Sequence, residues 1–214
     1  MSRIKICGIT DIETALAAAE AGADFLGLVL ATSKRMVTPL QAREIAKTLR
    51  SLGNSPKLVG VFVNFPAEEV NRLAADIGLD YVQLSGDESW EYCRDIERKI
   101  IKTIHISEET TSENIITEIM KVQLSARDEV RPLLDTKIGS GYGGTGVSFK
   151  WDVAKKVADK VIIAGGLNPE NVGKLVRRVK PWGVDVSSGV ETGGRKDIAK
   201  IKEFIKTVRE TDAT

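Results

Sequence analysis

Short β-branched or apolar runs alternate with amphipathic segments along the whole 214-residue chain, and no other feature restricts its fold as strongly. Eight runs read as strands: "RIKIC" (3–7), "DFLGLVL" (24–30), "KLVGVFV" (57–63), "DYVQL" (80–84), "KIIKTI" (99–104), "RPLLD" (131–135), "KVIIA" (160–164) and "GVDVS" (183–187). Segments with helical spacing lie between them. "DIETALAAAEAG" (11–22) closes on Gly22. "TPLQAREIAKTLRSLG" (38–53) has Thr38 as N-cap, Pro39 at the first helical position and Gly53 as its stop. "PAEEVNRLAADIG" (66–78) ends in the same way, and "NPENVGKLVRRV" (168–179) opens with an Asn cap followed by Pro. Strict alternation of this kind predicts an α/β protein, a parallel sheet covered by helices. Eight repeats in one chain favour a closed (βα)8 barrel of the triosephosphate-isomerase type, one domain over residues 1–214. An open doubly wound sheet is the other architecture compatible with the pattern.

Composition narrows the partners. The chain carries 31 basic and 30 acidic residues, a net charge of +1, so neither nucleic acid nor an anionic membrane is the expected partner. A small anionic ligand held by local groups stays open. Two cysteines allow at most one disulfide, Cys7–Cys93, which is not the pattern of a secreted disulfide framework. No signal peptide is visible, because Arg3 and Lys5 precede only a short apolar run. No apolar stretch reaches the roughly 18 residues of a membrane span. The expectation is a soluble protein of the reducing cytoplasm.

In a barrel of this type, functional groups gather at the C-terminal ends of the strands. Cys7, Asp135, Gly165, Gly166 and the stretch Ser187-Ser188-Gly189 all fall there. Cys93 instead lies within "WEYCRDIERK", read as a helix, where a thiol packs as a small hydrophobe. "AGGLNPENV" (164–172) runs from a strand through two glycines into a capped helix, and "GVDVSSGVE" (183–191) ends a strand in small polar residues. Either alone is an ordinary turn. After strands seven and eight together, they point to a phosphate site. "GSGYGG" (139–144) formally fits the dinucleotide fingerprint, but Thr136-Lys137-Ile138 separate it from the strand and the next helix starts only near Ser148. A lid over the barrel mouth is the better reading of that segment. Asp135, beside it, is read as a catalytic carboxyl rather than a turn aspartate. Arg35, in "ATSKRMVTP", is either solvent-facing or reaches over the mouth to hold a carboxylate at two points. His105 is the only histidine, and a catalytic role would need a partner that the sequence does not reveal, so it is read as an ordinary residue. No Cys/His cluster has metal-ligand spacing, and a hydrolase triad would rest on that one histidine.

These segments together resemble the phosphoribosylanthranilate isomerase family of tryptophan biosynthesis. "KICGIT", "SKR", "LLDT" with "YGGTG", "AGGLNPENV" and "GVDVSSGVE" occur in the family's order and span residues 5 to 191. The resemblance implies an eight-fold βα barrel and a cofactor-free, metal-free Amadori rearrangement of a phosphorylated sugar-anthranilate, in a monomer or homodimer. It implies Cys7 as general base and Asp135 as general acid. It gives Arg35 the anthranilate carboxylate, Gly165, Gly166, Ser187, Ser188 and Gly189 the phosphate, and Asp185 a polar contact near the ribose. One departure stands out: "VQLSG" puts Ser85 where the family commonly has histidine. The chemistry asks for an Asp135 carboxyl with a raised pKa and a Cys7 thiol with a lowered one. Lys5 shares the strand face of Cys7 and is the candidate to stabilise the thiolate and to pair with an inward carboxylate. The alternatives are the sister sugar isomerase of histidine biosynthesis, a non-catalytic phosphate-sugar binding barrel, and a nucleotide-dependent dehydrogenase resting on the glycine fingerprint.

Overall fold

The computed structural model describes residues 1–53, 55–107, 109–125, 130–136 and 150–214. The glycine-rich 139–144 segment and the helix start expected near Ser148 lie outside them. The strands are β1 (Arg3–Cys7), β2 (Phe25–Val29), β3 (Lys57–Phe62), β4 (Tyr81–Leu84), β5 (Lys99–Ile106), β6 (Val130–Thr136), β7 (Ile162–Ile163) and β8 (Gly183–Val186). They pair in parallel in chain order, and β8 returns to β1 to close the barrel. Closure rules out the open sheet. Among the described residues six α-helices cover it: α1 (Ile12–Glu20), α2 (Pro39–Arg50), α3 (Ala67–Ile77), α4 (Ser112–Ser125), α5 (Pro169–Val179) and α6 (Ile198–Asp212).

Side-chain alternation on the strands builds two cores. Leu26, Leu28, Leu58, Val82, Leu134, Ile163 and Val184 face the helices and join the larger one. Phe25, Val59, Ile101, Leu133, Ile162 and Ala164 form a separate cluster that fills the barrel interior. Phe25 meets Tyr81 edge-on at 5.4 Å, and the Arg131 guanidinium lies 4.3 Å over the Trp182 ring. These contacts lie toward the strands' N-terminal ends, so polar groups find room only toward the C-terminal ends. Lys5, Cys7, Asp185 and Ser187 continue the inward parity. Register sets Lys5 between Phe25 and Asp185, Cys7 beside Gly27, and His105 beside Asp135.

Local chemistry explains the helix ends. Thr38 and Asn168 each form a reciprocal capping box, with Gln41 and Asn171 respectively. Gly78 ends α3 in the left-handed region. The sequence reading is corrected at four places. α2 stops at Arg50, capped by Ser51, before it reaches Gly53. "WEYCRDIERK" forms one 3-10 turn, Tyr92–Asp95, because Ile96 is drawn into the core in extended form directly after it. Residues Trp151–Lys160 are also 3-10, burying Ala154, Val157 and Ala158. A hairpin, β9 (Glu191–Thr192) with β10 (Arg195–Lys196), follows β8 and turns through Gly193 and Gly194, both at positive φ. Both cysteines are free and buried, so the Cys7–Cys93 disulfide is absent. Among the described residues no helix is long and apolar enough to cross a membrane.

α6 ties the two ends of the barrel together. Asp197 caps it through the N–H groups of Ala199 and Lys200. Arg209 near its end donates to the Ser2 carbonyl (2.9 Å) and to Asp24 (2.8 Å). The helix anchors itself with Phe204, which is fully buried. Phe204→Ala is expected to cost about 3–5 kcal/mol of stability, read as a lower midpoint in denaturant unfolding.

Candidate active site

A cavity of about 440 Å³ opens at the C-terminal end of the barrel. Cys7, Arg35, Asp135, Asp185 and Ser187 line it, with Val29, Val61 and Phe65 as apolar wall and Gln83, Ser85, Thr103 and His105 as neutral polar wall. The structure thus gathers five of the nine residues singled out from sequence. Gly165, Gly166, Ser188 and Gly189 stand on the loops behind it and are not among the described lining residues.

Cys7 ends β1, and its neighbour Gly8 turns the chain at φ +79. Absence of a side chain at Gly27 makes room beside the thiol: a Cβ there would lie 2.9 Å from Cys7 Sγ and 3.2 Å from Lys5 Nζ. The same gap therefore holds an ammonium against a sulfur. Lys5 Nζ donates to Asp185 Oδ1 at 2.9 Å, and both side chains are almost fully buried. Burial opposes the Lys5 charge, but Asp185 and Cys7 outweigh it, and the ammonium is held above its ordinary range.

The thiol does not behave as expected from sequence. Burial pushes the Cys7 pKa up, and the pull of Lys5 toward thiolate only partly offsets this. Asp135 follows the expectation. Burial, reinforced by the charge of Asp185, raises it to about 7. It is protonated over a range in which an ordinary carboxyl is ionised. A carboxyl with a raised folded-state pKa stabilises the fold below its unfolded pKa, and that contribution is lost as pH rises toward about 7.

Arg35 reaches the cavity wall over Gly8, where an added Cβ would sit 2.5 Å from Arg35 Cδ. Its Nε and Nη2 donate to Glu191 at 2.6 and 3.1 Å. Lys196 Nζ donates to the same carboxylate (2.8 Å) and to the Ser187 carbonyl (2.8 Å). Ser187 Oγ donates in turn to the Cys7 carbonyl at 3.1 Å. Glu191 and Lys196 had no role in the sequence reading. The Gly-Gly turn between them was the available signal for the hairpin that carries both.

The loops after β7 and β8 touch. A Cβ on Gly189 would collide with the Leu167 carbonyl, and Gly165, at φ +84, packs its Cα face on Thr136. Among the described residues no acceptor takes the backbone N–H of Gly166, Ser188 or Gly189. Ser188–Val190 is a short 3-10 turn. Ser85 Oγ accepts from Gln83 Nε2 (3.0 Å) and shares a hydrogen bond with Thr103 (3.0 Å). The Ser85 carbonyl lies 3.2 Å from His105 Nε2. The lone histidine is therefore part of the cavity wall, one strand over from Ser85. Cys93 has packed as expected: it is buried, points its thiol at the Ser89 carbonyl, and has its pKa pushed up to about 11 by burial.

Two variants check these electrostatics. Lys5→Met, which strands the Asp185 charge, is expected to lose about 3–5 kcal/mol in denaturant unfolding. Asp135→Asn is expected to be more stable than the parent at pH 8, with the gap closing toward pH 5, read from thermal midpoints across pH.

Comparison with known proteins agrees with this geometry over nearly the whole chain. Residues 4–207 match the family model described as PRAI, N-(5'phosphoribosyl)anthranilate (PRA) isomerase. The N-(5'-phosphoribosyl)anthranilate isomerase of Dehalococcoides mccartyi is 50% identical over 214 residues, covering 99% of this chain and 98% of its own length. A crystal structure of phosphoribosyl anthranilate isomerase from Thermotoga maritima superposes with a TM-score of 0.84 at 39% identity, over 98% of this chain and all of that one. Another, in complex with reduced 1-(o-carboxyphenylamino)-1-deoxyribulose 5-phosphate, gives 0.80 at 36% identity, over 98% of this chain and 100% of that one.

Proposed function

We propose a role for each residue of this pocket from one premise: the chain belongs to the N-(5'-phosphoribosyl)anthranilate isomerase family. Its reaction is the Amadori rearrangement of N-(5'-phosphoribosyl)anthranilate to 1-(2-carboxyphenylamino)-1-deoxyribulose 5-phosphate, a step of tryptophan biosynthesis. The family match does not favour the histidine-pathway isomerase or a non-catalytic barrel. The ligand is one small phosphorylated sugar-anthranilate, not nucleic acid or a membrane, and the chain works in the cytoplasm as a monomer or homodimer.

The observation that carries the assignment of roles is the single cavity lined by a thiol, a carboxyl of raised pKa and a guanidinium. Asp135 donates its proton to the ribose ring oxygen. The C1–O bond breaks while the anilino nitrogen lone pair forms C1=N, giving a protonated Schiff base. Cys7, as thiolate, takes the proton from C2, and the electrons of that C–H bond become the C1=C2 bond of an enolamine. Tautomerisation gives the ketone. Arg35 holds the anthranilate carboxylate. At the other end, the Gly165-Gly166 loop and Ser187-Ser188-Gly189 cradle the phosphate, supported by the N–H groups of Gly166, Ser188 and Gly189, which no described residue accepts, and by the short helical turn after β8. Held at both ends, the ribose has little freedom left between base and acid.

Asp185 is kept by Lys5 and acts on the reacting groups through charge, in addition to lying at the ribose. Lys5 draws Cys7 toward the thiolate, and Asp185 draws Asp135 toward the acid. One buried ion pair therefore favours the working protonation state of both groups. That state is a minority form of the free enzyme, because the thiol titrates above the carboxyl. Activity requiring thiolate plus protonated carboxyl rises with pH toward the lower of the two pKa values, levels, and falls above the higher.

Turnover of purified protein is the direct test. Cys7→Ser and Asp135→Asn are each expected to lower kcat by about 10²-fold or more with little change in KM, while Arg35→Ala mainly raises KM. A Cys7→Ser enzyme at near-parent rate would overturn the base assignment. In the parent, kcat/KM is expected to rise to a limb near pH 7 and to fall again above the ordinary thiol range. Lys5→Met is expected to move the alkaline limb upward.

A further inference from the structure

Arg35 meets the cavity with only part of its hydrogen-bonding capacity. A guanidinium has five N–H donors and two edges that can grip a carboxylate, the Nε/Nη2 edge and the Nη1/Nη2 edge. Glu191 occupies the first, at 2.6 and 3.1 Å. Among the described residues Nη1 donates to nothing. The second edge is left for another carboxylate.

Glu191 is itself built in. Its side chain is 6% exposed. Lys200 Nζ holds its carbonyl (2.9 Å), and Lys196 holds its carboxylate while donating to the Ser187 carbonyl. Behind it, the Asp197 N–H bonds to the Val190 carbonyl at 2.9 Å. An anchored carboxylate of this kind orients its partner more readily than it swings away. The charge count agrees. Arg35, Lys196 and, at 3.9 Å, Lys34 surround this one carboxylate, which leaves positive charge for a second anion.

We propose that Glu191 is a positioning residue for Arg35, fixing the guanidinium plane so that its free edge selects a substrate whose aryl ring bears a carboxylate. The inference rests on the reading of Arg35 given above. Glu191 does not touch the reacting atoms. It acts as the fixed half of a carboxylate–guanidinium–carboxylate stack whose other half arrives with the substrate. Gly8 completes the device, because the Arg35 stem passes where any side chain at residue 8 would stand.

The test compares two substrates, N-(5'-phosphoribosyl)anthranilate and the analogue made from aniline, which lacks the carboxylate. Steady-state kinetics are run on Glu191→Gln, Glu191→Ala, Arg35→Ala and the Arg35→Ala/Glu191→Ala pair. Glu191→Ala is expected to raise KM for the carboxylate substrate about tenfold or more, leave kcat within about threefold, and leave the analogue unchanged. Glu191→Gln, which keeps the shape and one acceptor, is expected to lie between parent and Glu191→Ala, and it carries the test alone if the alanine variant does not fold. The double variant is expected to match Arg35→Ala, since the two residues act as one unit. If Arg35→Ala itself discriminates between the substrates as the parent does, the reading of Arg35 fails. If Arg35→Ala abolishes discrimination but the Glu191 variants retain it, only the present inference fails. A lowered KM in Glu191→Gln would show a competitor in place of a holder and would also overturn it.

Discussion

An ammonium and a carboxylate, Lys5 and Asp185, face each other at 2.9 Å inside a barrel whose remaining interior is mostly apolar. Neither charge could stand there alone, because each loses most of its hydration on burial. The pair sits at the seam where β1 meets β8, so the contact that closes the barrel also sets the charges beneath the reacting groups. The thiol one layer up feels the ammonium, and the carboxyl on β6 feels the aspartate. Barrel closure and acid–base character are in this sense one constraint.

The cavity is electrically lopsided. Its β1, β2 and β8 side carries Lys5, Asp185, Arg35, Glu191 and Lys196. The wall built from β4 and β5 carries Gln83, Ser85, Thr103 and His105. These buried ion pairs lie on the first side, Asp135 on β6 faces them across the cavity, and the β4 and β5 wall offers directional but uncharged contacts. A further buried ion pair, Lys102–Glu88 at 3.0 Å, stands at the end of this second wall. It spends its bonds on the backbone of Asn64 and Gly86 and so fixes the loops after β3 and β4.

Much of this was legible in the chain. The eight strand runs, the caps at Thr38 and Asn168, and the strand-end placement of Cys7 and Asp135 are local patterns, and local patterns survive folding. The pairing of Lys5 with an inward carboxylate followed from period-two alternation. What escaped was long-range. Arg35 and Glu191 are separated by 156 residues, and "ETGGRK" alone reads as a solvated turn. The thiol pKa went the other way from the expectation because desolvation depends on how completely β1 is enclosed. "WEYCRDIERK" has helical composition, yet the short span between β4 and β5 and the burial of Ile96 leave it a single 3-10 turn.

The order of the chain has a consequence for synthesis. Cys7 emerges from a ribosome before its partners Asp185, Ser187 and Lys196, which come nearly two hundred residues later. Translation at about 5–20 residues per second leaves that thiol without its pocket for roughly ten seconds or more. During that interval the residue lacks both the enclosure that raises its pKa and the wall that shields it from oxidants. A nascent chain therefore carries its most sensitive atom uncovered until the barrel shuts, and β8, the last barrel strand to arrive, is the one that seals it.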